Sequence, residues 1–151
     1  MASNTTFVSG AILTAAQMNN LPWGWQDYVE VTANQTGIAS GAVRDLTGLT
    51  ITKTFVANRK IKISAKCQFT VGANACNVNL LIQEGATVLA SQELYAVSSS
   101  PQGRVASVII TPSAGSHTYK LTVSFGDNAN NLLAASATNP SFILVEDMGS
   151  A

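Results

Sequence analysis

Between Arg59 and Val71 the chain alternates with a period of two. Ile61, Ile63, Ala65, Cys67, Phe69 and Val71 take one parity, and Lys60, Lys62, Ser64, Lys66, Gln68 and Thr70 take the other. Successive side chains of a β-strand point to opposite faces, so this run describes a strand with one face in a core and one in water. After Gly72-Ala73-Asn74 the phase resumes with Cys76, Val78, Leu80 and Ile82 against Asn77, Asn79 and Gln83, Leu81 being the exception. The two runs read as a long hairpin. From His117 to Phe125 the pattern returns, with Tyr119, Leu121, Val123 and Phe125 set against Thr118, Lys120, Thr122 and Ser124.

Weaker strands are expected over residues 28–32, 49–55, 88–97, 104–111, 132–137 and 141–146. Turn-forming clusters separate them, among them Ser98 to Gly103, Pro112 to Ser116 and Gly126 to Asn131. Short strands at this spacing, without a long amphipathic helix, predict an all-β protein: an antiparallel β-sandwich of jelly-roll type.

The first 25 residues do not alternate, and they read as an N-terminal arm (1–25) ahead of a sandwich domain (26–151). Thr14 is placed to N-cap a short helix, with Gln17 three residues on to complete a capping box, and Asn20 before Leu21-Pro22 marks its end. A helix that short is not stable alone, so it has to dock on something. The arm supplies Phe7, Ile12, Leu13, Met18, Leu21, Trp23 and Trp25 for that purpose.

Composition narrows the function. Charged residues are 11% of the 151, with 8 Lys plus Arg balancing 8 Asp plus Glu, against roughly 25% in ordinary globular proteins. Zero net charge removes the electrostatic attraction behind most nucleic-acid affinity and that of a polybasic membrane anchor. No apolar run reaches the ~18–20 residues of a membrane span. No nucleic-acid partner and no membrane insertion are therefore expected. A basic residue is lacking ahead of the first apolar stretch, which argues against a secretory signal and for reduced thiols at Cys67 and Cys76. A surface short of charge is a poor one for an isolated monomer and fits a subunit of a larger assembly.

Catalytic chemistry finds no foothold. There is one histidine, His117, beside the turn Gly115-Ser116, and no Gly-x-Ser-x-Gly, His pair or Cys-x-x-Cys; these are the usual carriers of triads and zinc sites. The stretch from Asp127 to Asn131 begins like a calcium loop but lacks the glycine and closing glutamate of one. No catalytic residue, cofactor or metal is assigned. Glu146 and Asp147 are adjacent and would point to opposite faces of a continuing strand. Arg59, Lys60, Lys62 and Lys66 read as a basic stripe on the solvent face of the long strand.

Both ends resemble small virion structural proteins of tailed bacteriophages, notably those infecting actinobacteria. The string Phe7-Val8-Ser9-Gly10-Ala11-Ile12-Leu13-Thr14-Ala15-Ala16-Gln17-Met18-Asn19 is similar to their opening motif. Phe142-Ile143-Leu144-Val145-Glu146-Asp147-Met148-Gly149 is similar to their closing strand, which commonly carries Ile where Met148 stands. The resemblance implies a β-sandwich protruding from a particle, often as a trimer, anchored through its N-terminal arm. The expected function is that of a non-enzymatic capsid decoration or head-fibre protein, resident in the virion after assembly in the bacterial cytoplasm. Its expected partners are its own copies in a homotrimer and phage capsid or tail proteins. The alternative is a minor tail protein that binds a host-surface glycan through the loops at 98–103 and 126–131. The strand Phe142, Ile143, Leu144 and Val145 is apolar on both parities, as when one face meets the core and the other a symmetry mate; a central strand inside a single subunit has the same pattern.

Overall fold

The computed structural model describes residue 12 and residues 14–72, 74–97, 100–126 and 131–151. Phe7 and Leu13 of the arm, the calcium-like stretch at 127–130 and residues 98 and 99 of a candidate loop lie outside these. Among the described residues there are one helix and ten strands: α1 (Ala15–Asn19), β1 (Gly24–Val31), β2 (Gln35–Ile38), β3 (Arg44–Phe55), β4 (Arg59–Thr70), β5 (Cys76–Glu84), β6 (Thr87–Ala96), β7 (Gln102–Ile110), β8 (Gly115–Phe125), β9 (Asn131–Leu133) and β10 (Ser141–Ser150).

All the strand pairings are antiparallel and they build two sheets. The first contains β1, β10, β4, β9, β2 and β7, and the second runs β3-β8-β5-β6. β4 is the spine of the first sheet. Its Ile61–Lys66 stretch pairs with β10 on one side and β7 on the other, and at Phe69 the partners are Leu133 of β9 and Gln102 of β7. β9 and β10 are therefore one interrupted strand on the same edge of β4. β1 pairs with β10 and β2 with β9, so they form a second interrupted strand beside it. Six of the nine connections between successive strands cross from one sheet to the other, in the jelly-roll arrangement expected from the strand count and turn spacing.

The expected hairpin between β4 and β5 is not formed. β4 lies in the first sheet and β5 in the second, paired with β6 and β8. Both strands keep the expected parity: Ile61, Ile63, Phe69, Val78, Leu80 and Ile82 are all fully buried. Alternation reports which side chains face inward, and that side is the same whether two strands pair or face each other across a core. Only Leu81 breaks the pattern, and it too is covered, 8% exposed on the outer face of the second sheet.

The core between the sheets includes Leu46, Leu49, Ile51, Phe69, Val78, Tyr119, Leu121, Val123, Phe125, Ile143 and Val145. Phe69 meets Phe125 edge-on across the sandwich, with ring centroids 5.7 Å apart at 88°, a favoured aromatic geometry. Gly48 sits at the irregularity between Asp45 and Thr50 of β3 with φ of +81°, and a Cβ there would come within 3.0 Å of Val31 Cγ1. A residue without a side chain lets β3 pass that close to β1.

Cys67 and Cys76 are free and buried, one on each sheet. Burial pushes the Cys67 thiol up to about 12, partly offset by its bond with Ser141. Because the thiolate is the nucleophile, Cys67 should resist maleimide labelling at neutral to mildly alkaline pH in the native protein. It should react once guanidinium unfolds the chain, and mass spectrometry of the two samples checks this; native labelling of Cys67 would contradict its place in the core.

Candidate functional site

The described part of the arm is tied to the sandwich around Arg59, and the tie begins in local sequence. Thr14 caps α1 with a complete capping box: Gln17 N–H donates to Thr14 Oγ1 at 3.2 Å, and Thr14 N–H donates to Gln17 Oε1 at 2.9 Å. Asn20 ends the helix. The carbonyls freed at that end are what the sandwich grips.

Arg59 does the gripping. Placed by sequence in the basic stripe, it is instead on the inward parity of β4 and only 3% exposed. Its Nε donates to Asp147 Oδ2 at 2.9 Å and its Nη2 to Asp147 Oδ1 at 2.6 Å, a two-pronged pair. The remaining donors turn to the arm: Nη1 to the Asn19 carbonyl and Nη2 to the Leu21 carbonyl at 2.7 Å. The Trp23 ring covers the guanidinium, 4.4 Å from its centroid. Only the planar guanidinium satisfies a carboxylate and two carbonyls together. Asp147 also accepts from Gly149 N–H at 2.8 Å. Gly149, with φ of +106°, lets the arm approach, since a Cβ there would meet the Asn20 carbonyl at 3.2 Å. Ser150 N–H closes the tie to Asn20 O at 3.4 Å.

The expected opposite orientation of Glu146 and Asp147 is what makes this possible. Asp147 turns inward to Arg59, while Glu146 faces out and pairs with Lys62 at 3.3 Å. Of the other stripe residues, Lys66 donates to Asn139 Oδ1 at 2.5 Å, leaving Lys60 exposed.

The second candidate is the outer face of the first sheet. Register places Trp25, Tyr28 and Glu30 of β1, Phe142, Leu144 and Glu146 of β10, Lys62, Ser64 and Lys66 of β4, and Val105, Ser107 and Ile109 of β7 on one surface. Trp25, Val105 and Ile109 are 69%, 62% and 59% exposed. An aromatic ladder runs along it: Trp25 to Tyr28 at 6.2 Å and Tyr28 to Phe142 at 5.5 Å. Tyr28 donates to Glu30 Oε2 at 2.5 Å, which with burial pushes its phenol up to about 12. The second sheet's outer face is different in kind. It presents Thr50, Thr52, Thr118, Asn77, Asn79, Ser124 and Ser91 with the charged Lys120 and Glu93, and Tyr95 as its exposed aromatic.

The sequence-assigned residues thus divide. Trp23 belongs to the clamp. Trp25, assigned to the arm, is already in β1, so the boundary drawn after residue 25 falls inside a strand. Ile12 and Met18 are exposed and Leu21 is half-buried. Ile143 and Val145 are wholly in the core, while Phe142 and Leu144 are half-buried on the outer face. Arg59 and Asp147 were missed; the signal was there, since Arg59 shares the parity of Ile61 and Ile63.

His117 lies between Glu84 and Ser113. Its Nδ1 contacts Glu84 Oε1 at 2.6 Å, and its Nε2 lies 3.0 Å from the Ser113 carbonyl, nearer than the Ser113 hydroxyl at 3.4 Å. Among the described residues no cluster of three His, Cys, Asp or Glu could hold a metal, and no helix is long and apolar enough to cross a membrane.

No protein-family model and no curated protein sequence matches the chain. Several solved structures resemble it in fold. Eiger TNF from S. frugiperda superposes with a TM-score of 0.41 at 9% identity, over 82% of this chain and 93% of that one. Infectious bursal virus derived T=1 particles give 0.44 at 8% identity over 99% of this chain, which spans only 41% of the viral one. The carbohydrate-binding module CBM36, in complex with calcium and xylotriose, gives 0.39 at 18% identity over 80% and 99%. At these identities and scores the likeness is one of general architecture, two antiparallel sheets packed face to face.

Proposed function

We propose that this chain is a non-enzymatic structural subunit of a bacteriophage virion, a capsid-surface decoration or head-fibre protein that assembles as a homotrimer and docks through its N-terminal arm. The observation that carries the reading is the asymmetry of the two outer faces. One is a surface of hydroxyls and amides with Lys120 and Glu93, suited to water; the other carries Trp25, Tyr28, Phe142, Leu144, Val105 and Ile109. A patch of aromatic and aliphatic side chains rimmed by charges marks an interaction surface.

A second copy of the chain suits that face. Lys62 and Glu146 sit together on it as a pair, so both signs of charge are available to a neighbour, and zero net charge removes the repulsion between crowded copies. Tethering several arms to one trimer raises their effective concentration without stronger individual contacts. The clamp at Arg59 fixes where each arm leaves the sandwich. The sequence motifs at both ends favour a phage particle as the larger assembly.

Removing residues 1–13 tests the docking role while sparing the carbonyls that satisfy Arg59. The truncated protein is expected to stay folded and trimeric by light scattering but to fail to co-sediment with particles. Leu144→Asp is expected to give a folded monomer. Undiminished particle binding by the truncation, or an unchanged trimer in Leu144→Asp, would overturn the corresponding half of the proposal.

A further inference from the structure

A cleft of about 400 Å³ opens where the arm meets the sandwich, lined by Asn19, Asn20, Trp23, Val56, Asn58 and Ser150 around the Arg59 guanidinium. Its volume falls within the roughly 300–1,000 Å³ of small-molecule sites. We propose that this cleft binds an uncharged saccharide, a mono- or disaccharide unit stacked on Trp23 and hydrogen-bonded by the surrounding carboxamides.

Three features of the cleft select that ligand class. The first is the aromatic platform. The Trp23 ring is 51% exposed although the guanidinium lies 4.4 Å from its centroid, so one part of the ring is held and the rest is open. A ring already fixed by Arg59 loses little freedom when a ligand stacks on it, and the C–H face of a sugar is the kind of flat, weakly polar surface an indole accepts.

The second is unused hydrogen-bonding capacity. Asn19, Asn20 and Asn58 have their backbone carbonyls engaged, by Arg59, Ser150 and Ala151 respectively. Their main chains are therefore anchored. Their side-chain amides and the Ser150 hydroxyl have no partner among the described residues. Each amide offers a donor and an acceptor side by side, which matches the vicinal hydroxyls of a sugar ring.

The third is charge. Arg59 is the charged residue of the lining, and it is already matched by the two-pronged Asp147 contact and two carbonyls. Four of its five N–H donors are taken and its charge is matched by Asp147, so the cleft has little to offer a phosphate or carboxylate. What remains is neutral, polar at the rim and apolar at Trp23 and Val56.

The glycan-binding loops expected from sequence lack an aromatic residue; the cleft supplies one in Trp23. The site is independent of particle docking, so each can fail with the other intact.

The test uses the full chain carrying Trp25→Phe, which leaves Trp23 as the fluorophore. Methyl glycosides of glucose, galactose, mannose, rhamnose and N-acetylglucosamine, and the disaccharide cellobiose, are titrated while indole emission and saturation-transfer NMR are followed. At least one should shift the emission saturably with a Kd on the order of 1 mM. Asn19→Ala combined with Asn20→Ala keeps the backbone carbonyls that Arg59 needs, and should weaken that sugar about tenfold, one lost kilocalorie-scale interaction, with an unchanged melting temperature. Trp23→Ala should abolish binding. Flat titrations for every sugar up to about 50 mM, equal affinity in the asparagine variant, or displacement of the sugar by inorganic phosphate would each overturn the proposal.

Discussion

Arg59→Ala is expected to destabilise the protein by about 3–5 kcal/mol, the range for breaking a buried ion pair by removing one partner. The reason is what stays behind. Asp147, 3% exposed, would be left in the interior with only the Gly149 N–H donating to it. The carbonyls of Asn19 and Leu21 and the face of Trp23 would lose their partner at the same time. Lysine would not rescue the site, because a point ammonium cannot fork onto a carboxylate while reaching two carbonyls. Urea denaturation measures the loss. Limited proteolysis and amide exchange over residues 14–23 separate it from a general weakening, since the arm is expected to detach well below the midpoint of the sandwich. Asp147→Ala should cost a similar amount, and the double variant less than the sum of the two singles, because the charge left by each single change is then absent. Additive losses would show that the two side chains act separately.

Phe69→Ala is expected to cost about 3–5 kcal/mol, the sum of lost transfer energy and the cavity left behind. Phe69 is fully buried, stacks edge-on with Phe125, and stands on β4 where β7 and β9 flank it. Neighbours on two sheets would have to move together to close the void, and a pleated backbone held by ladders on both sides cannot shift far. Phe69→Leu retains much of the volume and should lose less. Ser107→Ala, on the exposed outer face of β7, should stay within about 0.5 kcal/mol. Thermal and urea unfolding rank the three; equal losses for Phe69→Ala and Ser107→Ala would contradict the sandwich core described above. Against a total stability of about 5–15 kcal/mol for a natural domain, either large change brings the protein near its unfolding threshold.

The alternation in β4, β5 and β8 was legible because each carries at least four apolar residues on one parity. β1 was read short, as 28–32 rather than Gly24–Val31, because Trp25 faces outward and the register shifts before Asp27, so parity breaks just where the strand begins. β2 carries no alternation that marks it as a strand. Its four residues, Gln35–Ile38, include Gly37 at a φ of +68°, and it is held by pairing with β9 and by the Gln35 amide bridging Thr47 rather than by any pattern of its own. Residue type alone puts Arg59 at the surface, where arginine usually sits; its burial depends on Asp147, 88 residues away along the chain.

Residue order by itself determined the all-β class, the inward side of the long strands, the capped turn of helix at Thr14 and the opposite orientation of Glu146 and Asp147. Each follows from contacts within a few residues, through the two-residue repeat of the strand and the three-residue reach of a capping box. Tertiary structure decided which sheet each strand joined, and so that β4 and β5 face one another across the core instead of pairing. It also brought Arg59, Asp147 and the end of α1 together, and gathered Trp25, Tyr28, Phe142, Leu144, Val105 and Ile109 from three strands onto one face. Those outcomes rest on pairings between distant segments, and a local alternation is the same for every partner the strand could have chosen.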